Sequence, residues 1–219
     1  MSERRVVRAA AAPGAAPGMP AAEKTDGRVN RSIVTRKKIV DALTALIHEG
    51  QVAPTAELVA ARADVGLRTV FRHFDDMDAL YREISHDLEA LIQPLLAVRL
   101  EGATWQQRLQ HAVRLRTGFY DRVAAIHLAT QVHRHASAYL PQTIQQFVEL
   151  QRELLRRLLP PAVARHPTLF EALDVWLSID TWIRLRREQA LSGEAALEVV
   201  MFGVNAQLAA SGLAPASPA

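Results

Sequence analysis

Arg68, Thr69 and Arg72 are the residues of this chain whose types and spacing could do recognisable chemistry together. In a helix, positions four apart share a face, so the two guanidinium groups would stand one above the other with Thr69 alongside. A guanidinium can donate two parallel hydrogen bonds to the edge of a guanine, and a threonine methyl can meet a thymine methyl. Such a face can therefore read bases in a major groove, each good pair being worth about 1–3 kcal/mol of discrimination.

The surrounding sequence, from Pro54 to Leu80, supplies elements that would hold this face in place. Thr55 follows Pro54 and is suited to cap a first short helix. Within that helix the spacing predicts that Leu58 and Val59 share an inward stripe, with Arg62 three and four residues on. Ala63-Asp64-Val65-Gly66 reads as a tight turn, because Asp tolerates the left-handed conformation better than most residues. A second short helix is expected from about 66 to 73. Its Leu67, Val70 and Phe74 face inward, leaving Arg68, Thr69 and Arg72 outward. A helix of two turns does not persist alone in water, so this one must dock on its neighbours. Two short helices joined steeply form the unit that places one helix in a DNA groove.

On these residues the chain resembles the DNA-binding domain of the TetR (tetracycline-repressor) family of bacterial transcription regulators. That family's pattern is roughly T-x-x-x-I-A-x-x-A-G-V-S-x-x-T-x-Y-x-H/Y-F-x-x-K-x-x-L. It is met here by Thr55, Val59, Ala60, Ala63, Asp64, Val65, Gly66, Thr69, Phe71, His73, Phe74, Met77 and Leu80. The run from Ile39 through Leu46 to Gly50 resembles the family's first helix and its terminating glycine. Four positions depart from the pattern: Asp64 for the turn Gly, Gly66 for a Ser cap, Phe71 for a Tyr and Met77 for a Lys. By resemblance the Tyr and Lys would touch phosphates. Their loss predicts a shallower salt dependence, about one unit of slope for each contact.

The resemblance implies an all-α protein of about nine helices: an N-terminal three-helix helix-turn-helix head, then a helical ligand-binding and dimerisation bundle. The head is expected over 30–76, the body over 77–212, and disordered ends over 1–29 and 213–219. Arg4, Arg5 and Arg8 in the first tail could trail along phosphates, or the tail could have no role.

Composition agrees with this outline. The 219 residues, 49% hydrophobic, suffice for a head and one sizeable core. Ala, Leu, Arg, Glu and Gln abound, and alternating β-branched runs are scarce. With no cysteine, disulfides and thiolate metal sites are excluded. No apolar run reaches membrane length, and no signal peptide is legible, so a cytoplasmic location without membrane association is expected. The net charge is +3. Between Arg28 and Phe74 eight basic residues stand against four acidic ones, a local excess that leaves the remainder close to neutral. A basic head on a neutral body is the footprint of a nucleic-acid binder.

The body reads as successive helices over about 76–92, stopped or kinked near Pro94, then 104–120 with Thr104 as cap, 123–136, and a helix opened by Pro141 that runs to 159. Pro160-Pro161 breaks the chain. A helix over 168–191 and another over 194–210 close it. By resemblance this last hairpin pairs with a second copy across a twofold axis through Leu169, Leu173, Trp176, Ile183, Ala196, Val199, Val200, Gly203 and Val204. The same stripe could instead be core within one chain. A homodimer would read a pseudo-palindromic duplex.

Catalysis is not expected. Ser85-His86-Asp87 are sequence neighbours that do not face one another on a helix, Ser178 and Asp180 form no recognisable set, and no G-x-S-x-G elbow, P-loop or G-x-G-x-x-G run occurs. His127, His133 and His135 are spaced so that their rings diverge, and no H-x-x-x-H pair is present, so no metal or cofactor is expected. A helical dimeric adaptor that has lost DNA binding and meets a partner protein is the alternative function; retention of Arg68, Thr69 and Arg72 argues against it.

Phosphate contacts are expected near helix starts and ends, at Thr35, Arg36, Thr55 and His73, with base reading by Arg68, Thr69 and Arg72; Gly66 and Phe71 complete the expected double-stranded DNA contacts. By resemblance a small-molecule effector binds among the middle helices and shifts the fourth helix, releasing the DNA. Its candidate contacts are Trp105, His111, Arg114, Phe119, Tyr120, His127, Gln131, Tyr139, Phe147 and Trp176.

Overall fold

The computed structural model describes residues 22–213; the expectations for Arg4, Arg5, Arg8 and 214–219 lie outside them. Among the described residues the protein is all-helical. In order, α1 spans Ala22–His48, α2 Ala56–Arg62, α3 Leu67–His73, α4 Met77–Leu96, α5 Trp105–His133 and α6 Leu140–Leu158. There follow the short α7 Pro161–Ala164, α8 Pro167–Trp176, α9 Ile179–Ile183, which continues as a π-helical turn Arg184–Glu188, and α10 Gly193–Ala210. The first helix thus begins inside the segment assigned to the tail, at Ala-Glu-Lys, all good helix formers. Within α1 the chain divides into two units, the boundary falling between Lys37 and Lys38.

Local chemistry sets many of these boundaries. At the end of α1, Gly50 takes the left-handed conformation (φ 98°). Its N–H bonds the Ile47 carbonyl while Gln51 N–H reaches back to Leu46, a Schellman closure that satisfies otherwise orphaned carbonyls. Thr55, Asp76, Ser178 and Ser192 each cap the helix that follows by accepting a backbone N–H. Thr104 and Gln107 form a reciprocal capping box at the head of α5. Ser137 accepts the N–H groups of Tyr139 (3.1 Å) and Leu140 (2.8 Å) and so opens α6.

Two differences from the expected helices have simple causes. The helices expected over 104–120 and 123–136 are one, α5, because nothing between Phe119 and His133 breaks a helix. The helix expected over 168–191 is instead broken after Trp176. Ser178 takes an extended backbone and its hydroxyl accepts the Thr181 N–H (3.1 Å), offering the chain a new cap in place of continued helix. Pro94 does not stop α4, which runs on to Leu96.

From Lys38 onward the interior falls into two apolar clusters. The smaller joins Ile39, Leu43 and Ile47 of α1 to Val59 of α2, Val70 of α3 and Leu80, Tyr81 and Ile84 of α4, and is closed by Ile126, Ala129 and Leu140. The larger joins Leu109, Val113, Phe119, Tyr120 and Val123 of α5 to Leu169, Leu173, Trp182, Val200, Val204 and Leu208 of the C-terminal helices.

Candidate nucleic-acid interface and ligand cavity

α2 and α3 form the expected helix-turn-helix. α2 buries Ala56, Val59 and Ala60. Leu58, expected inside, is 45% exposed, since it lies two residues from both Ala56 and Ala60 and so points away from their stripe. Leu67, also expected inside, is 37% exposed; it is the first residue of α3, ahead of the turn that buries Val70. Asp64 carries the turn with φ 51°. Val70 and Phe74 are buried as expected.

The outer face of α3 presents Arg68, Phe71 and Arg72 to solvent, with Thr69 and His73 half-buried. The charges around it are not alike. Lys38 pairs with Asp64 at 3.6 Å, and Arg62 makes a two-pronged bond to Glu49. That bond holds the Glu49 carboxyl below the usual range. Arg68 and Arg72, in contrast, pair with no carboxylate among the described residues. Thr55 is exposed at the start of α2 with its oxygen committed to the Leu58 N–H. Gly66 caps α3 through its backbone only. Thr35 and Arg36, expected near a helix start, lie well inside α1, where the backbone N–H groups are already used within the helix. The Thr35 hydroxyl donates to the Arg31 carbonyl (2.9 Å).

The body holds two cavities. One, of about 260 Å³, lies among α4, α5 and α6 and is lined by Leu88, Phe119, Val123, His127, Ile144 and Phe147 among others. The second, of about 190 Å³, lies farther along the same helices against Leu95, Val113, Arg116, Tyr120 and Leu154. Ile92, Phe119, Phe147 and Leu150 line both, so the two are adjoining lobes. Of the residues expected to meet a ligand, Phe119, Tyr120, His127 and Phe147 are brought together here. The other six are not. Trp105 and Trp176 pack against the larger core, His111 accepts the Glu101 N–H and Arg114 is exposed. Gln131 accepts from Arg134, and Tyr139 lies under Arg82 against the smaller core. Arg116, which the sequence reading passed over, faces the second lobe. Its partners Tyr120 and Gln151, four and thirty-five residues on, include one that no local spacing could reveal.

His127, His133 and His135 do not converge. His127 bonds Asp180 at 3.1 Å, holding that carboxyl below its usual range. His133 stacks on Tyr81, whose hydroxyl burial pushes up to about 12, and His135 is exposed. No metal-holding group of three or more His, Asp or Glu occurs among the described residues. Nor is any described helix long and apolar enough to cross a membrane.

The expected pairing surface needs correction. Leu169, Leu173, Ile183, Ala196, Val200, Gly203 and Val204 are buried in this chain's own core. Side chains already packed on all sides cannot also face a second copy. Trp176 and Val199 are half-buried, and Gly203 sits directly on the Trp176 indole. The outward face of the same helices carries Val175, 64% exposed, and Phe202, 77% exposed.

A helix-turn-helix followed by a helical body that holds a partly open cavity defines the fold class of this chain. No family model matches it, and no curated protein does. Among solved structures, that of a candidate transcriptional regulator from Pseudomonas aeruginosa PAO1 superposes with a TM-score of 0.57 and 15% identity, over 78% of this chain and 88% of that one. A likeness at that identity concerns the fold.

Proposed function

We propose that this chain is a DNA-binding transcriptional regulator, a repressor, that grips a pseudo-palindromic site as a homodimer and is released by a small-molecule effector. The observation that carries the reading is the contrast in charge around the helix-turn-helix. Arg62 and Lys38 are neutralised by carboxylates, whereas Arg68 and Arg72 stand outward on α3 without one. An unpaired, well-hydrated guanidinium on a docked short helix is available to a guanine edge without first breaking an ion pair.

α4 ties the two ends of this function together. Its first half contributes Leu80, Tyr81 and Ile84 to the smaller core, and its second half lines the cavity through Leu88 and Ile92. A ligand that fits one position of α4 better than another shifts the head only by that difference in affinity. Dimerisation is assigned to the outward face of α8 and α10, around Val175 and Phe202, rather than to the buried stripe. Phe202→Asp is expected to convert a dimer to single chains in light scattering.

The deciding experiment is selection of bound sequences from random duplex DNA by the full chain. The expected result is an inverted repeat with half-sites about 34–36 Å apart or a multiple of that. Failure to enrich any sequence at modest ionic strength overturns the reading.

A further inference from the structure

We propose that the two-lobed cavity takes an elongated amphipathic anion, a fatty-acid-like carboxylate, with its head at Arg116 and its tail running toward His127. This rests on the effector reading above for its consequence on DNA, but not for the binding itself.

The case begins with Arg116. Arg116 is half-buried, in a wall made mostly of Ile92, Leu95, Leu109, Val113, Leu154 and Leu158. Its Nε donates to the Tyr120 hydroxyl and its Nη2 to Gln151 Oε1. Both partners are neutral, and no carboxylate pairs with it among the described residues. A charge removed from water is costly unless an opposite charge meets it. The two acids whose charges reach the adjoining Tyr120 are engaged elsewhere: Asp174 with Arg152 at 2.7 Å and Asp180 with His127 at 3.1 Å. Two of the five guanidinium N–H groups are used, which leaves three in the planar fork that matches a carboxylate.

Tyr120 and Gln151 hold that fork in place. The Tyr120 hydroxyl lies 2.6 Å from Gln151 Oε1 and 2.9 Å from the Leu177 carbonyl, so its proton has acceptors on the protein and its oxygen is left to accept from Arg116. The guanidinium is thereby oriented before any ligand arrives, which reduces what binding must order.

The shape of the space sets the rest of the molecule. From Arg116 to His127 along α5 is eleven residues, or about 16 Å. The two lobes adjoin at Ile92, Phe119, Phe147 and Leu150, which line both, and the proposed chain passes between them there. The Arg116 lobe is lined mostly by aliphatic and aromatic side chains, and the His127 lobe sets Ser85, Gln93, Thr130, Thr143 and Gln146 among its apolar ones. A compact anion would fill one lobe and leave the other wet, and an uncharged chain would leave Arg116 unmet. A straight chain ending in a carboxylate satisfies both.

The test uses the purified full chain and calorimetric titration without DNA, with dodecanoate as probe and dodecanol and dodecyltrimethylammonium as neutral and cationic controls of the same tail. Dodecanoate is expected to bind one per chain, about 10- to 100-fold more tightly than dodecanol, the span set by a charge-assisted hydrogen bond. The cationic control is expected to be the weakest. Arg116→Gln is expected to erase the preference for the anion, while Arg116→Lys retains part of it. Leu150→Trp, which leaves the guanidinium alone but fills the junction of the lobes, is expected to weaken dodecanoate and dodecanol alike by more than tenfold. Equal affinity for dodecanoate and dodecanol in the unaltered chain, or unchanged affinity in Leu150→Trp, overturns the proposal without recourse to the Arg116 variants. Chain that binds dodecanoate as described yet enriches no duplex would sink the regulator reading and leave this one standing.

Discussion

The two apolar cores meet opposite demands. The smaller one packs two seven-residue helices, α2 and α3, which are too short to persist alone, onto the longer α1 and α4, so that Val59 and Val70 fix the direction of each short rod. The larger one gathers the short α7, α8 and α9 around the long α5 and α10, and between α4, α5 and α6 the body leaves two lobes unfilled. A surface that must match a stiff partner needs a filled interior behind it. A site that must admit a molecule needs volume that the side chains decline to fill. The unpaired arginines follow the same division: Arg68 and Arg72 point out from the filled core, and Arg116 points into the unfilled space.

The largest effects test whether the two cores are independent. Leu43 and Leu173 are each wholly buried, one in each cluster. Leu43→Ala and Leu173→Ala are each expected to cost about 2–5 kcal/mol. Both residues belong to the same compact unit, so urea unfolding monitored by circular dichroism should remain a single transition in both variants. A second transition appearing only in Leu43→Ala would divide the head from the body.

Next in size is the outward face of α3. Arg68→Ala is expected to lose about 1–3 kcal/mol of preference between the best duplex and one altered at the guanine it reads. Since Arg68 is exposed, stability should stay within about 0.5 kcal/mol. Equal losses on every duplex would make Arg68 a phosphate contact and leave base reading elsewhere on α3.

The head was far more legible in sequence than the body, and the reason is range. Thr55, Asp64, Gly66 and the Val70/Phe74 spacing act within a few residues, so caps, turn and inward stripe can be read along the chain. The misreadings there, Leu58 and Leu67, concern which side of a very short helix is covered, and that depends on its neighbours. In the body the decisive facts are long-range. Gln151 meets Arg116 across thirty-five residues, and Tyr120 reaches Leu177 across fifty-seven. The stripe of Leu173, Val200 and Val204 looks the same in sequence whether it faces a second copy or its own chain, and only packing shows that it is interior. Ser178 illustrates the intermediate case: its capping chemistry was visible, but the strength of the flanking apolar pattern concealed it.

Two glycines sharpen the contrast between filled and unfilled space. A Cβ on Gly203 would fall 2.3 Å from Cδ2 of the Trp176 indole, so Gly203→Ala is expected to destabilise by about 1–3 kcal/mol through overpacking. Gly118, exposed within α5, has nothing within 4 Å of such an atom. Gly118→Ala is expected to stabilise by about 0.5–1 kcal/mol, because alanine loses less backbone freedom in a helix. Thermal unfolding of the two variants should move in opposite directions.

The smallest expected effect lies at the entrance of α3. Gly66 has the extended backbone of a cap, φ −71° and ψ 147°, but no side chain to use it. A Cβ there meets nothing within 4 Å, so Gly66→Ser adds neither a clash nor backbone strain. Its hydroxyl would come within reach of the N–H groups of Arg68 and Thr69, the second and third residues of the helix. The gain over glycine is expected to be only a few tenths of a kcal/mol, or about 1 °C in midpoint for a chain of this size. Thr69 N–H already bonds the Gly66 carbonyl at 2.7 Å, so most of the gain must come from Arg68 N–H. If the midpoint instead falls, the start of α3 is already fully satisfied by its backbone, and the rigidity of the reading helix owes nothing to its cap and everything to Val70 and Phe74 beneath it.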